Sequence, residues 1–111
     1  MNHSQAIELL KTLIATPSVS REESAAADIV EAWFRENGFV PNRKGNNVWV
    51  LARALQPQKP TILLDAHLDT VKPNASWSRN PFEPIIEGDR LYGLGSNDTG
   101  GSLVAMLAAF S

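Results

Sequence analysis

Thr61-Ile62-Leu63-Leu64-Asp65-Ala66-His67-Leu68-Asp69 is the stretch on which the fold turns. A short apolar run gives way to alternating polar residues. Such a pattern predicts a buried strand that reaches a site at its end. Side chains alternate along a strand, so Asp65, His67 and Asp69 share one face. Polar groups at the end of a buried strand need a charge partner or a metal. His67 then reads as a metal ligand. Asp69 reads as the carboxylate that orients the imidazole and raises its basicity. The plainer alternative is a histidine at a strand end beside two solvated acids, and spacing alone does not decide between the two.

A second cluster lies downstream, Gly93-Leu94-Gly95-Ser96-Asn97-Asp98-Thr99-Gly100-Gly101. Glycines let a backbone turn sharply and approach a ligand closely. The segment lacks the Gly-Lys-Ser/Thr of a phosphate-binding loop. Asp98 stands where a dinucleotide fingerprint has its third glycine. A carboxylate repels phosphate and attracts a cation. Its two oxygens can bridge two metals about 3.5–4 Å apart. The alternative role for Asp98 is to cap the helix that begins near Gly100.

Around these clusters the chain alternates helix and strand patterns. Ala6, Ile7, Leu9, Leu10, Leu13 and Ile14 predict an amphipathic helix over 4–15, stopped by Pro17. Ser20-Arg21-Glu22-Glu23 matches a capping box, with Ser20 as N-cap of a second helix running to about Asn37. Gly38 suits the left-handed position after it. Trp33, Phe34 and Trp49 read as core. Asn46-Asn47 predicts a turn before a strand at Val48–Ala52. Residues 72–84, with three prolines, predict a long loop pinned by Trp77 and Phe82. Ile85–Ile86 and Arg90–Tyr92 predict short strands around Gly88-Asp89. A last helix opens at Gly100-Gly101. This alternation favours an α/β layered fold. The pattern of that last helix has no stop signal at Ser111, which reads as a cut.

Composition narrows the function classes. The 111 residues are 43% hydrophobic and 20% charged, within the range of one globular domain. Net charge is −2 and the ten Lys/Arg are scattered, which argues against nucleic-acid and membrane partners. The chain has no cysteine, so disulfides, thiolate metal sites and a cysteine nucleophile are excluded. Any metal must be held by His and carboxylates. The first residues lack a signal-peptide pattern, giving the expectation of a cytoplasmic protein. His3 reads as incidental, in a fraying terminus.

The ordered set His67-Leu68-Asp69-Thr70-Val71, Trp77, Asn80-Pro81-Phe82-Glu83-Pro84 and Gly88 to Gly101 resembles the M20 metallopeptidase family. The family includes acetylornithine deacetylases, succinyl-diaminopimelate desuccinylases, aminoacylases and carboxypeptidases. The resemblance covers about residues 61–108. It implies that His67 and Asp98 ligate metal, with Asp98 bridging two ions, and that Asp69 has a catalytic role through His67. It also implies two zinc ions per complete site, with cobalt or manganese as alternatives, and a cis Asp98–Thr99 peptide bond. The implied fold is a zinc-exopeptidase-like three-layer α/β sandwich with a mixed sheet, of which residues 1–111 form the N-terminal part of the catalytic domain.

Two departures bear on the branch. The common Met-Lys-Gly-Gly after the bridging aspartate is here Thr99-Gly100-Gly101-Ser102, and Leu94 stands where arginine is frequent between the two glycines. The Gly-Leu-Gly-Ser-Asn-Asp form is closer to the acetylornithine deacetylase-like branch. The implied substrate is a small N-acyl amino acid, and the implied parent is a homodimer. Desuccinylase and carboxypeptidase or aminoacylase activities are alternatives. So is a non-catalytic metal-binding or interaction module. The family's general base and remaining ligands follow the bridging aspartate, and no Asp, Glu or His follows Asp98 here. The expectation is therefore an incomplete site, weak metal binding and no activity in this chain alone. An open sheet edge would favour self-association.

Overall fold

The computed structural model describes residues 1–111. Helix α1 spans His3–Ile14 and starts on a reciprocal cap, in which Asn2 and Gln5 each accept the other's backbone N–H at 2.9 Å. Helix α2 spans Ser24–Glu36. Gly38, at φ +80°, turns the chain out of it, and the Phe39 N–H donates back to the Phe34 carbonyl. Strands β1 (Asn42–Lys44) and β2 (Asn47–Trp49) form an antiparallel hairpin with Arg43 opposite Val48. Strands β3 (Ile85–Glu87) and β4 (Arg90–Tyr92) form a second, turning at Gly88-Asp89 as the sequence predicts. A wide kinked turn at Ser96–Gly100 leads into α3, Gly101–Phe110.

The core is helical. Leu9, Leu10 and Ile14 of α1 pack with Val30, Trp33 and Phe34 of α2, Phe39, and Leu103, Val104 and Leu107 of α3. Aromatic edges tie it together: Trp33 meets Phe34 at 5.4 Å between ring centroids, and Phe34 meets Phe39 at 5.9 Å. Gly100 permits the close crossing of α1 and α3. A Cβ there would stand 2.6 Å from Leu10 Cδ1 and 2.7 Å from the Gly95 carbonyl oxygen. None of the helices is long and apolar enough to cross a membrane.

Four expectations are corrected. Thr61–Leu64 is not a buried strand: it pairs with no other strand, and Ile62 and Leu63 keep more than four fifths of their surface. Periodicity marks an apolar run, but a strand also needs a neighbour to take its backbone hydrogen bonds. The strand placed at Val48–Ala52 is confined to Asn47–Trp49, and Trp49 is exposed rather than core. Ser20 caps no helix, because α2 begins at Ser24. Arg21 takes a left-handed φ of 75°, and the Glu23 carboxylate turns back to accept the Arg21 N–H.

The architecture is mixed α/β, with two separate antiparallel hairpins in place of one continuous sheet. The radius of gyration is 14.9 Å. A compact chain of this length would have roughly 13 Å. The excess fits the open course of residues 50–69.

Candidate metal centre

His67 sits just past the open apolar run, and one long-range seam fixes its surroundings. Val19 and Thr70 form a parallel bridge. The Thr70 N–H donates to the Ser18 carbonyl at 2.8 Å, and the Ser20 N–H donates to the Thr70 carbonyl at 3.2 Å. The Ser18 hydroxyl adds a bond to the Leu68 carbonyl at 3.0 Å. The loop between α1 and α2 thus holds residues 68–70 by backbone pairing, the kind of constraint side-chain motion does not undo.

Asp98 approaches from the other side, on the kinked turn before α3. Gly95, at φ +82°, starts that turn, and a Cβ there would meet Thr70 Cγ2 at 2.8 Å. The turn can lie against the His67 segment only because Gly95 has no side chain. The Asp98–Thr99 peptide bond is cis, as the resemblance implies.

The structure brings His67, Asp69 and Asp98 together. His67 Nε2 lies 2.9 Å from Asp98 Oδ1. Its Nδ1 lies 3.0 Å from the Asp69 backbone carbonyl oxygen and 3.3 Å from Asp69 Oδ1. The other carboxylate oxygen of Asp69 accepts a bond from the Ser20 hydroxyl. That hydroxyl is the main cause holding the Asp69 carboxyl below its ordinary value. Partial desolvation opposes it, while the residue's own N–H and His67 add to it. Asp65, on the same strand face by sequence, is exposed and joins none of these contacts.

Both ring nitrogens of His67 therefore face oxygen acceptors. Asp69 meets the Nδ1 side. On the other side Nε2 and a carboxylate oxygen stand 2.9 Å apart, a contact that either a ring N–H or a shared cation holds together. The donor set fits one part of a zinc site: one imidazole nitrogen and one carboxylate oxygen. A catalytic zinc usually takes three protein ligands; Asp69 turns to the other ring nitrogen, and no three His, Asp or Glu side chains in this chain are placed to hold one ion together. Beside the pair lies a cavity of about 30 Å³, lined among others by His67, Thr70, Phe82 and Thr99. The Thr70 hydroxyl is buried there without a hydrogen-bond partner.

Ser20 was missed as a site residue by sequence reasoning. Its contact joins residues 49 positions apart, and no local pattern encodes that. The Pro17-Ser18-Val19-Ser20 loop offers only its density of hydroxyls as a signal.

Comparison with known proteins finds relatives along most of this chain. Succinyl-diaminopimelate desuccinylase of Sphingopyxis alaskensis is 35% identical over 112 residues, covering 93% of this chain and 29% of that protein. The desuccinylase of Alkalilimnicola ehrlichii is 35% identical over 96% of this chain and 29% of its own length. Acetylornithine deacetylase of Pectobacterium carotovorum subsp. carotovorum is 36% identical over 98% of this chain and 32% of its own length. The chain thus spans about three tenths of the length of these curated relatives. Residues 63–111, which include His67, Asp69 and Asp98, match the model of Peptidase family M20/M25/M40, and the chain belongs to that family.

Proposed function

We propose that this chain provides the N-terminal part of the catalytic domain of a metal-dependent amidohydrolase that removes the acyl group from a small N-acyl amino acid. The observation that carries the reading is the meeting of His67 Nε2 and Asp98 Oδ1 at 2.9 Å, within the matched segment. Support also comes from the family, whose members are generally metal-dependent. The relatives include both deacetylases and desuccinylases at similar identity. The Gly-Leu-Gly-Ser-Asn-Asp form of residues 93–98 favours acetylornithine deacetylase-like chemistry, with desuccinylation as the alternative.

In this reading His67 and Asp98 would hold metal, and Asp69 would fix the imidazole with Nε2 turned toward Asp98. A bound zinc pair would supply an acidified water and polarise the acyl carbonyl. Water adds to the acyl carbon, the C–N bond breaks, and the amine leaves with a proton while the acyl group leaves as carboxylate. The proton-transferring base and the other ligands are assigned to chain beyond these residues. The 111-residue chain alone is then inactive. The same reading makes residues 61–69 a strand of a mixed sheet in a three-layer sandwich. The exposed Ile62, Leu63 and Leu64 support this, as does an open groove of about 1100 Å³ lined by Val30, Phe34, Val50, Leu64, Leu107 and Phe110.

Zinc titration of the chain by calorimetry tests the site. Binding weaker than micromolar that disappears in His67→Ala is expected. Binding unaffected by His67→Ala would overturn the ligand assignment. For the activity, the gene's full product should release acetate from N-acetylornithine faster than succinate from N-succinyl-diaminopimelate. The reverse order would move the assignment to the desuccinylases.

A further inference from the structure

The Ser20 hydroxyl meets Oδ2 of Asp69, and the other carboxylate oxygen, Oδ1, lies toward His67 Nδ1. Ser20 makes no hydrogen bond to His67 or Asp98. It reaches the Asp69 carboxylate from a loop whose backbone is already paired to Thr70. Asp69 in turn offers two acceptors to His67 Nδ1, its carbonyl at 3.0 Å and its carboxylate at 3.3 Å. A carboxylate with more than a third of its side-chain surface free rotates unless something holds it. Here the only side chain that donates to it, apart from the imidazole, is Ser20.

We infer that Ser20 is a positioning residue: its hydroxyl fixes the Asp69 carboxylate, and Asp69 in turn holds the His67 ring so that Nε2 stays directed at Asp98. Three links carry the effect, Ser20 Oγ to Asp69, Asp69 to Nδ1, and Nε2 to Asp98. Each is a direct contact. A hydroxyl suits the first link better than a lysine or arginine. It restrains the carboxylate without neutralising it, so the negative charge stays on the side that faces His67 Nδ1. The consequence for metal affinity rests on the proposed function. The consequence for the imidazole does not.

The test compares Ser20→Thr with Ser20→Val in the 111-residue chain. The two side chains have the same shape and differ in one hydroxyl. Carbon-13 relaxation of the imidazole ring in the metal-free, labelled chain reads how firmly His67 is held, with exposed His3 as an internal control. In wild type and Ser20→Thr the His67 ring should relax as a rigidly held group. In Ser20→Val its relaxation should move toward that of His3. Protection of the Thr70 amide against exchange should stay the same in all three, showing that the seam is intact. Identical His67 ring relaxation in the Thr and Val variants would overturn the inference. Cobalt titration followed by visible absorption forms a second arm, with about tenfold weaker binding expected in Ser20→Val and less than twofold change in Ser20→Thr. A difference in His67 ring order without cobalt binding by any form would keep the positioning role and count against the metal reading.

Discussion

Leu107 in α3 and Ile62 ahead of His67 are both aliphatic residues in apolar runs. Leu107 keeps 3% of its surface exposed and Ile62 keeps 83%. The difference lies in what surrounds them. Leu107 is on a helix, which satisfies its own backbone hydrogen bonds and needs only an apolar face opposite; α1 and α2 provide one. Ile62 is in an extended run, which needs neighbouring strands for its backbone as well as cover for its side chains. The two hairpins are occupied with themselves. Apolar content marks a segment that wants burial, and the presence of partners decides whether it is buried.

That contrast can be broken most directly by truncating both residues. Leu107→Ala should cost about 3 kcal/mol, the usual loss for a buried leucine. Ile62→Ala should stay within about 0.5 kcal/mol. Urea unfolding followed by the fluorescence of buried Trp33 measures both. Equal losses would mean that residues 61–64 are packed in solution and that the contrast is false.

A backbone variant sharpens the same comparison at the site. Gly95→Ala places a Cβ against Thr70 at a left-handed φ. The expected loss is about 1–3 kcal/mol, together with faster exchange of the Thr70 amide. Full retention of that protection would show that the turn carrying Asp98 does not depend on the close approach.

The smallest effect concerns ion pairs at the edge of the helical region. Glu31 accepts from Arg43 at 2.9 Å and from Arg35 at 2.6 Å, and these contacts hold its carboxyl below the ordinary glutamate value, Arg43 first. A carboxyl depressed in the folded state stabilises above its unfolded value and loses that contribution as pH falls through the folded one. Stability should therefore decline modestly below about pH 4.5, the ordinary glutamate value. Glu31→Gln should flatten part of that decline in thermal melts. These groups face solvent, so added salt should shrink the effect.

The legible parts of the sequence share a feature. Helices α1 and α2, the second hairpin around Gly88-Asp89, the Gly38 exit and the start of α3 all depend on residues within a few positions of each other. Trp33 and Phe34 were legible as core because they lie on or beside a helical apolar face. Trp49 is not core, because side chains alternate along a strand: Val48 packs against the core and Trp49 points the other way. The capping-box reading of Ser20 failed for a related reason. The local pattern was valid, but a distant acceptor, Asp69, took the hydroxyl.

By itself the sequence determined the chemistry at hand: no thiols, one imidazole and two carboxylates in ordered motifs, and helices set by spacing and caps. Those follow from residue identity and short-range sterics. Only the tertiary structure decided that His67 Nε2 meets Asp98, that Asp69 offers both carbonyl and carboxylate to Nδ1, and that Ser20 holds Asp69 in place. It also decided that the run ahead of His67 stays open. Each of these depends on which distant segments come to lie side by side, and that is set by packing and backbone pairing across the chain.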